Sequence, residues 1–369
     1  MSRSRRTLAA TTAALLLAPI PAAGAQSLDP AIASSRAVGS LDPVPVAQAL
    51  GAVGSSDFPA VGSREPGEAH PSPVDPTITH PEVIAKRQDG AVQIWTIASA
   101  SMQRRIDVEV YPSRSGRPAP MLYLLDGVNS PLPSGWRSLG GVEQYFANQN
   151  ANVVVPTGGY ASFWTDWQSD DPTLGRNRWE SFLTTELPGL VEPSLSTNGR
   201  RGIGGISMGG QAATHLAATH PDMYDAVMSI SGTYSTTDEI GYQTARLTVE
   251  TRGGRVENMW GPRGGAAWQA HDTMAHPEGL RGKAVYLSSG NGVAGLPDTQ
   301  AYNGDVKAFA TGILLEKAVL DQTARFDRRL SELGIDHHVD YTDTGLHNWK
   351  TFAAQFDPGW RAIAGRLGA

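Results

Sequence analysis

The chain has 369 residues, of which 40% are hydrophobic, so it is long enough to bury a substantial core, and we expect one large domain. Its formal net charge is −6 and no run of lysine or arginine is long, which excludes a phosphate-tracking surface and argues against nucleic acid as a partner. The chain has no cysteine, which excludes disulfide bonds, so its stability must come from the core.

Residues 1–25 have the pattern of a cleavable secretory signal peptide. Three arginines within the first six residues precede an apolar run, and "AGA" at 23–25 is a small-x-small cleavage site. The apolar run is well short of the roughly 20 residues that span a bilayer, which favours a signal peptide over a membrane anchor. We therefore expect a secreted or cell-envelope protein.

Residues 26–85 are rich in proline, serine, glycine and alanine and show no sustained period. This composition predicts a linker or pro-segment. The catalytic domain is therefore expected to cover residues 86–369.

From about residue 90, short apolar runs alternate with longer amphipathic stretches, which is typical of an α/β sheet with crossover helices. The predicted strands are Val92–Ile97, Ile106–Tyr111, Met121–Leu125, Ala151–Val155, Gly202–Ile206, Ala226–Ile230, Ala284–Ser288 and His338–Thr342. The predicted helices are Val142–Asn148, Arg178–Leu187, Gly210–His220, Ile313–Leu333 and Trp360–Leu367. Several strands are almost continuously apolar, which predicts a mostly parallel central sheet with helices on both faces.

The stretch "GGISMGG" at 204–210 lies between a predicted strand and a predicted helix and contains Gly-x-Ser-x-Gly. This context is the one that a nucleophile elbow requires. A strand that turns abruptly into a helix forces strained backbone angles on the serine and requires small neighbours. Ser207 is therefore the candidate nucleophile, exposed at a helix N-terminus that favours developing negative charge.

A serine hydroxyl needs a histidine to take its proton, and in this fold the chain order is serine, acid, histidine. His347 lies in a loop between the last predicted strand and the C-terminal helix and is the candidate base. The other histidines after Ser207 are His215, His220, His271, His276, His337 and His338. The first two lie on the helix after the nucleophile, the next two precede a strand, and the last two open the final strand.

The residues alone leave the acid open. The candidates are Asp298 and Asp305, in the loop after the strand "KAVYLSS", and Glu316 and Asp321, on the following helix. The usual position, directly after that strand, favours Asp298.

Acyl transfer also needs amide donors for the oxyanion, each contributing about 3 kcal/mol by analogy with measured donors. Met208 follows the nucleophile and supplies one amide. The second is expected after the strand "MLYLL", where Gly127 permits a tight turn and Val128 can donate its amide.

The region from about residue 90 to the end resembles the antigen 85 type of mycolyltransferases, including their corynebacterial relatives. The matching segments, in chain order, are "SASMQRRIDVEV", "YLLDG", the Gly-Trp at 135–136, "VVVPTGGYASFWTDW", "WESFLTTELP", "GGISMGG", "NMWGP", "SGNG", "LLEKAV" and "LHNW". The resemblance implies an α/β-hydrolase fold. It also implies transfer of a mycolyl chain from trehalose monomycolate to a second trehalose monomycolate or to cell-wall arabinan.

The resemblance assigns the nucleophile to Ser207, the base to His347 and the acid to Glu316, which replaces Asp298 as the expected acid. It also assigns the oxyanion amides to Val128 and Met208, a sugar-contacting carboxylate to Asp126 and an aromatic neighbour to Trp349. Two positions depart from the family pattern. Asn129 stands where the family commonly has arginine, which affects sugar contacts, and Ser289 replaces a cysteine.

The expected partners are trehalose mycolate esters and a cell-wall glycan acceptor, with peripheral contact to the lipid-rich envelope and with neither a metal nor a cofactor. Four tryptophans are candidates for an acyl groove or a sugar platform, although such residues usually belong to the core: Trp164, Trp167, Trp260 and Trp349. Two alternatives stay open. One is a secreted carboxylesterase with the same three residues, and the other is a non-catalytic matrix-binding relative.

Overall fold

A computed structural model describes Val46, residues 48–50 and residues 73–369. The expected signal peptide and most of the expected linker lie outside these residues. Val46 and Leu50 are helical, and they pack in a buried apolar cluster with Ile240, Leu247 and Ala318 of the domain. Among the helices in the described part of the chain, none has the length and apolar character needed to cross a membrane.

The centre of the domain is one nine-stranded sheet with the order β1-β2-β3-β5-β4-β6-β7-β8-β9. The strands are Glu82–Asp89, Val92–Ser99, Arg104–Tyr111, Ala119–Leu125, Asn152–Pro156, Thr197–Ile206, Ala226–Ile230, Ala284–Ser289 and His338–Tyr341. The first three strands pair antiparallel, as does β3 with β5. The remaining pairs, from β5 through β4 to β9, are parallel. The mostly parallel sheet predicted from the sequence is confirmed.

The almost continuous apolar runs do form the buried centre of the sheet. Every residue of β4 (Ala119–Leu125), β5 (Asn152–Pro156) and β7 (Ala226–Ile230) is buried. One large apolar cluster lies on each face of the sheet. Such burial on both faces is what a parallel sheet covered by crossover helices requires.

The first strand begins four residues before the expected start of the domain at residue 86. β1 (Glu82–Asp89) begins inside the expected linker, and seven of its eight residues are exposed. It is held by backbone pairing to β2 along one edge of the sheet. Because its sequence "EVIAKRQD" carries charge instead of an apolar alternation, the pattern gave no strand signal, and those charges suit an edge strand.

From residue 73 onward, the α-helices, numbered α1 to α11, are Gly135–Ser138, Val142–Phe146, Trp179–Ser181, Leu187–Val191, Met208–Thr219, Glu239–Glu250, Val256–Trp260, Ala266–Ala270, Leu296–Tyr302, Val306–Glu332 and Trp349–Leu367. The predicted helix Arg178–Leu187 is interrupted by a π-helical turn at Phe182–Glu186. Helix α11 begins at Trp349 instead of the predicted Trp360, because it continues through Pro358.

Helix α6 (Glu239–Glu250) was not predicted. Its sequence "EIGYQTARLTVE" contains glycine, threonine and valine, which are weak helix formers. Buried residues also alternate with half-buried ones along most of its length, which obscures the helical period. This helix matters for the site, because it forms one wall of the cavity beside Ser207.

Candidate active site

Ser207 occupies the sharp turn between β6 (Thr197–Ile206) and α5 (Met208–Thr219). Its φ of 51° and ψ of −121° are unusual for a residue with a side chain. Its amide donates to the carbonyl of Ile230 at 2.9 Å, which ties the turn to the next strand. The strained turn leaves Ser207 half-buried at the N-terminus of α5, where helix amides and dipole favour negative charge.

The glycines around Ser207 are required by contact. A Cβ on Gly205 would lie 2.2 Å from the carbonyl oxygen of Gly209. A Cβ on Gly209 would lie 2.4 Å from the carbonyl oxygen of Leu125. The turn therefore presses helix α5 against β4 and β6, and only hydrogen fits between them.

His347 and Glu316 complete a hydrogen-bonded chain with the serine. His347 Nε2 lies 2.8 Å from Ser207 Oγ. His347 Nδ1 lies 2.7 Å from Glu316 Oε2. The imidazole side chain is 8% exposed and the carboxylate side chain is 0% exposed. A carboxylate can only accept, so it holds the Nδ1 proton and leaves the Nε2 lone pair facing the serine hydroxyl.

The second oxygen of Glu316 is also fully engaged. Glu316 Oε1 accepts from the amide of Gly290 and from Ser231 Oγ, each at 2.7 Å. A Cβ on Gly290 would lie 2.6 Å from the carbonyl oxygen of Gly345 and 3.0 Å from Glu316 Cγ. Glycine at 290 thus lets the loop after β8 approach closely enough to orient a completely buried carboxylate.

Asp298 does not contact His347 by its side chain. Its Oδ1 accepts from the amide of Leu346 at 3.1 Å and from Asn348 Nδ2 at 2.7 Å. These donors flank His347, and Tyr302 Oη donates to the carbonyl of His347 at 2.9 Å. Asp298 therefore holds the loop that carries His347. The residue pattern alone did not distinguish this role from that of the carboxylate that orients the imidazole.

The other two acid candidates have different contacts. Asp305 caps the N-terminus of α10 by accepting from the amide of Ala308 at 3.0 Å. Asp321 pairs with Arg325 at 3.4 Å on the same helix. Of the four acids that the sequence left open, only Glu316 reaches the imidazole of His347 in the described structure.

Val128 and Met208 lie beside Ser207 along one cavity. Met208 is the first residue of α5, so its amide has no acceptor within the helix. The loop carrying Val128 is held by a hydrogen bond from the amide of Ala161 to the Val128 carbonyl at 2.8 Å. Because both residues lie next to Ser207, their amides are candidates to donate hydrogen bonds to an oxyanion that forms there.

Asp126 and Trp349, for which the resemblance implies sugar contacts, are buried in this structure. Asp126 is 0% exposed, and its Oδ2 accepts from the amide of Gly135 at 2.8 Å. The ring of Trp349 lies so close that a Cβ on Gly135 would be 2.2 Å from it. Both residues thus shape the loop around α1, and a direct sugar contact by either would require that loop to move.

Asn129 is tied to a cation that the sequence analysis did not associate with it. Its Oδ1 accepts from Arg252 Nη2 at 3.1 Å, and both residues are buried. The guanidinium belongs to the turn directly after α6, 123 residues along the chain. The charge that Asn129 itself lacks is therefore present next to it, supplied by another element.

The tryptophan candidates belong to the core and do not line the cavity. Trp164, Trp167, Trp260 and Trp349 are each at most 4% exposed. Apolar and hydroxyl side chains from α6, α10, α11 and nearby loops line the cavity instead: Phe163, Thr233, Thr244, Thr248, Leu315, Val319 and Phe352. Residue-type reasoning missed these because threonine, leucine and valine carry no chemical signature, and α6 itself was not predicted.

Comparisons with known proteins show the family and the fold of this chain. A family described as putative esterase matches residues 99–363. The diacylglycerol acyltransferase/mycolyltransferase Ag85B of Mycobacterium avium is 30% identical over 290 residues, covering 75% of this chain and 84% of that protein. The diacylglycerol acyltransferase/mycolyltransferase Ag85A of Mycobacterium leprae is 30% identical over 278 residues, covering 72% of this chain and 80% of that protein.

Two solved structures have a similar fold. MPT51 from Mycobacterium tuberculosis matches with a TM-score of 0.60 at 26% identity, covering 73% of this chain and 96% of that one. An S-formylglutathione hydrolase from Agrobacterium tumefaciens matches with a TM-score of 0.56 at 17% identity, covering 78% and 100%. The second likeness is one of fold alone.

Proposed function

Because this chain belongs to the antigen 85 type family of putative esterases with the α/β-hydrolase fold, we propose that it is a serine-dependent acyltransferase. The observation that carries the proposal is the unbroken chain from Ser207 Oγ through the His347 imidazole to buried Glu316. Stabilising the fold does not require a serine at a strained strand-to-helix turn that is hydrogen-bonded to a histidine and a buried carboxylate, whereas nucleophilic catalysis does.

In the first half-reaction, Ser207 Oγ attacks the carbonyl carbon of an acyl ester while its proton passes to His347 Nε2. Glu316 stabilises the resulting imidazolium through Nδ1, and the amides of Val128 and Met208 stabilise the oxyanion. The ester bond to the donor alcohol then breaks, and His347 returns its proton to that alcohol. The product is an acyl group on Ser207.

In the second half-reaction, an acceptor hydroxyl gives its proton to His347 and attacks the acyl-serine. The bond to Ser207 Oγ then breaks, His347 returns the proton to that oxygen, and the acceptor carries a new ester. Water, at about 55 M, competes for the same acyl-enzyme. A bound and oriented acceptor can outcompete water because effective molarities reach roughly 10⁵ M or more. The enzyme must therefore bind its acceptor and not merely admit it.

We assign the acyl group to the mycolyl or corynomycolyl class. The names of the relatives include mycolyltransferase, and the cavity beside Ser207 is bounded by apolar side chains such as Leu315, Val319 and Phe352. The donor is then trehalose monomycolate. The acceptor is a second trehalose monomycolate or cell-wall arabinan, and the site of action is outside the cell, at the envelope, after export directed by residues 1–25. Diacylglycerol acyltransferase, the other activity in those names, widens the acceptor set to lipid hydroxyls.

Purified protein incubated with a trehalose monoester of a long 2-alkyl-3-hydroxy acid tests the proposal. We expect a trehalose diester, and we expect Ser207→Ala to abolish it. Free acid as the sole product would overturn acyl transfer in favour of a secreted carboxylesterase.

A serine-directed phosphonate separates both enzymes from a non-catalytic matrix-binding protein. We expect the phosphonate to label the wild-type protein at Ser207 and to leave Ser207→Ala unlabelled. Failure to label folded wild-type protein would refute any serine mechanism.

A further inference from the structure

A second cluster of polar side chains lies away from the proposed catalytic residues, beside the C-terminal half of helix α5, which begins directly after Ser207. It consists of Glu180 from α3, His215 from α5 and His271, directly after α8. One carboxylate oxygen and two imidazole nitrogens lie within 4.8 Å of one another. His215 is 8% exposed, and the other two residues are half-buried. The proposed acyl transfer uses none of them.

Hydrogen bonds indicate which imidazole nitrogens keep a lone pair. His271 Nδ1 lies 2.7 Å from the backbone carbonyl of Ala267, which can only accept, so Nδ1 carries the proton. His271 Nε2 therefore carries the lone pair and accepts a hydrogen bond from the hydroxyl of Thr165 at 2.9 Å, which an ion bound at Nε2 would displace. An imidazole fixed by a carbonyl at one nitrogen is the usual arrangement of a metal ligand that binds through the other.

His215 is buried beside this imidazole, and its ring is stacked on that of His271. Its Nδ1 lies 3.4 Å from the hydroxyl of Thr273. Neutral imidazole is the form of histidine that binds metal ions.

Glu180 completes the set with a negative charge. His220 Nε2 lies 2.8 Å from Glu180 Oε1 and orients the carboxylate from behind. One carboxylate and two neutral imidazoles match the donor set that zinc accepts when a water completes four ligands.

We propose that Glu180, His215 and His271 bind one divalent transition-metal ion of the zinc type. Ligands on a tetrahedral ion with bonds of about 2.1 Å are roughly 3.4 Å apart. The present separations of up to 4.8 Å must therefore shorten by about 1.4 Å at most. The rings of His215 and His271 are stacked with centroids 4.7 Å apart, so they must open toward the ion.

Such an ion would crosslink three separate segments and would fix the helix that begins at the nucleophile. A chain without cysteine has no disulfide to provide that crosslink. His271 also stacks on Trp260 with centroids 4.5 Å apart, so a change in this ring pair is a spectroscopic signal of binding. No metal was predicted from the sequence, in which the three ligands are separated by 35 and 56 residues and form no local motif.

The test is titration of EDTA-treated, dialysed protein with Zn²⁺ by calorimetry and with Co²⁺ by visible absorption. We expect one equivalent of either ion per chain, with a four-coordinate Co²⁺ spectrum and a change in tryptophan fluorescence. His215→Gln and His271→Gln should each abolish binding, and Glu180→Gln should weaken it by about 10- to 100-fold or more. His338→Gln is the matched control, because His338 is exposed and pairs only with nearby Asp340 among the described carboxylates, and it should bind as wild type.

Lack of saturable Zn²⁺ binding by the wild-type protein would overturn the proposal. Binding at wild-type affinity in a folded His271→Gln variant would overturn it as well. If buried His215 cannot be replaced without unfolding, His271→Gln and Glu180→Gln carry the test, because both residues are partly exposed. Ser207→Ala should bind the ion unchanged, so failure of the proposed acyl transfer and failure of this site are distinguishable.

Discussion

Glu316→Gln replaces a buried carboxylate by an amide of the same shape, and the surrounding donors dictate how that amide must sit. The amide of Gly290 donates to Oε1 and cannot reverse its direction, so the glutamine carbonyl oxygen must remain there. The NH₂ group then faces His347 Nδ1, where the carboxylate oxygen was 2.7 Å away. Nδ1 becomes an acceptor, the ring proton moves to Nε2, and Nε2 can no longer accept the proton of Ser207.

The expected loss follows from this wrong tautomer. The equivalent amide substitution in a serine-protease triad lowers kcat by about 10⁴-fold, which corresponds to roughly 5.4 kcal/mol of barrier. We expect a loss of about 10³- to 10⁴-fold in the rate of acylation by a p-nitrophenyl ester, measured in single turnover. Thermal unfolding measured alongside reports whether the variant remains folded.

Asp298→Asn is the matched comparison, because Asp298 is also buried, but its side chain contacts the loop around His347 and the amide of Gly295 instead of the imidazole. Its amide would face the backbone amide of Gly295, now 2.8 Å from Oδ2, which leaves a donor against a donor. This costs about 1–3 kcal/mol of stability without altering the imidazole tautomer. We expect less than about 10²-fold loss of acylation. If folded Asp298→Asn lost more activity than folded Glu316→Gln, the assignment of the acid to Glu316 would be wrong.

Three further predictions concern the turn, the cavity and acid stability. Gly209→Ala should lower the free energy of unfolding by several kcal/mol, because its Cβ would lie 2.4 Å from a carbonyl oxygen. Gly365 on α11 has open space around it, so Gly365→Ala should be neutral or stabilising in the same thermal melts, and equal melting temperatures of the two variants would contradict the contact argument. Thr248→Phe should fill the cavity and lower kcat/KM for long acyl esters at least tenfold more than for acetyl esters, whereas an equal loss for both would argue against an acyl site there. Burial raises the pKa of Asp171, but hydrogen bonds, led by that from the Leu174 amide, lower it by more, so the net shift is downward. The ionised carboxylate therefore stabilises the folded protein fully above about pH 4, and this stabilisation is lost as pH falls through the folded pKa. Asp171→Asn should therefore cost about 1–3 kcal/mol in denaturant unfolding at pH 7 and less at pH 3, and a gap that does not narrow would count against this carboxylate.

The sequence was sufficient for features that depend on local pattern. The apolar runs of β4, β5 and β7 predicted buried parallel strands, and all three are buried. The glycines around Ser207 predicted a cramped turn, and the turn has that geometry. Both follow from backbone sterics and side-chain periodicity within a few residues, which a sequence displays directly.

Other features had too weak a local pattern to be predicted. Strand β1 is polar and exposed, so its register depends on pairing with β2. Helix α6 is built from weak helix formers and is stabilised by packing, including that of Leu247 against Leu50 and its neighbours. The cavity wall was missed together with this helix.

The choice of the acid shows where local pattern ends. By residue type alone, Asp298 and Glu316 were both suitable partners for His347, and the usual position after the strand favoured Asp298, whose side chain instead binds the loop around His347. What distinguishes them is which carboxylate the packing of α10 and the loop after β8 brings to the imidazole. The sequence by itself determined eight of the nine strands of the described sheet and the turn at Ser207. Only the tertiary structure decided which side chains meet, because contacts between residues 140 positions apart depend on how all the intervening elements pack.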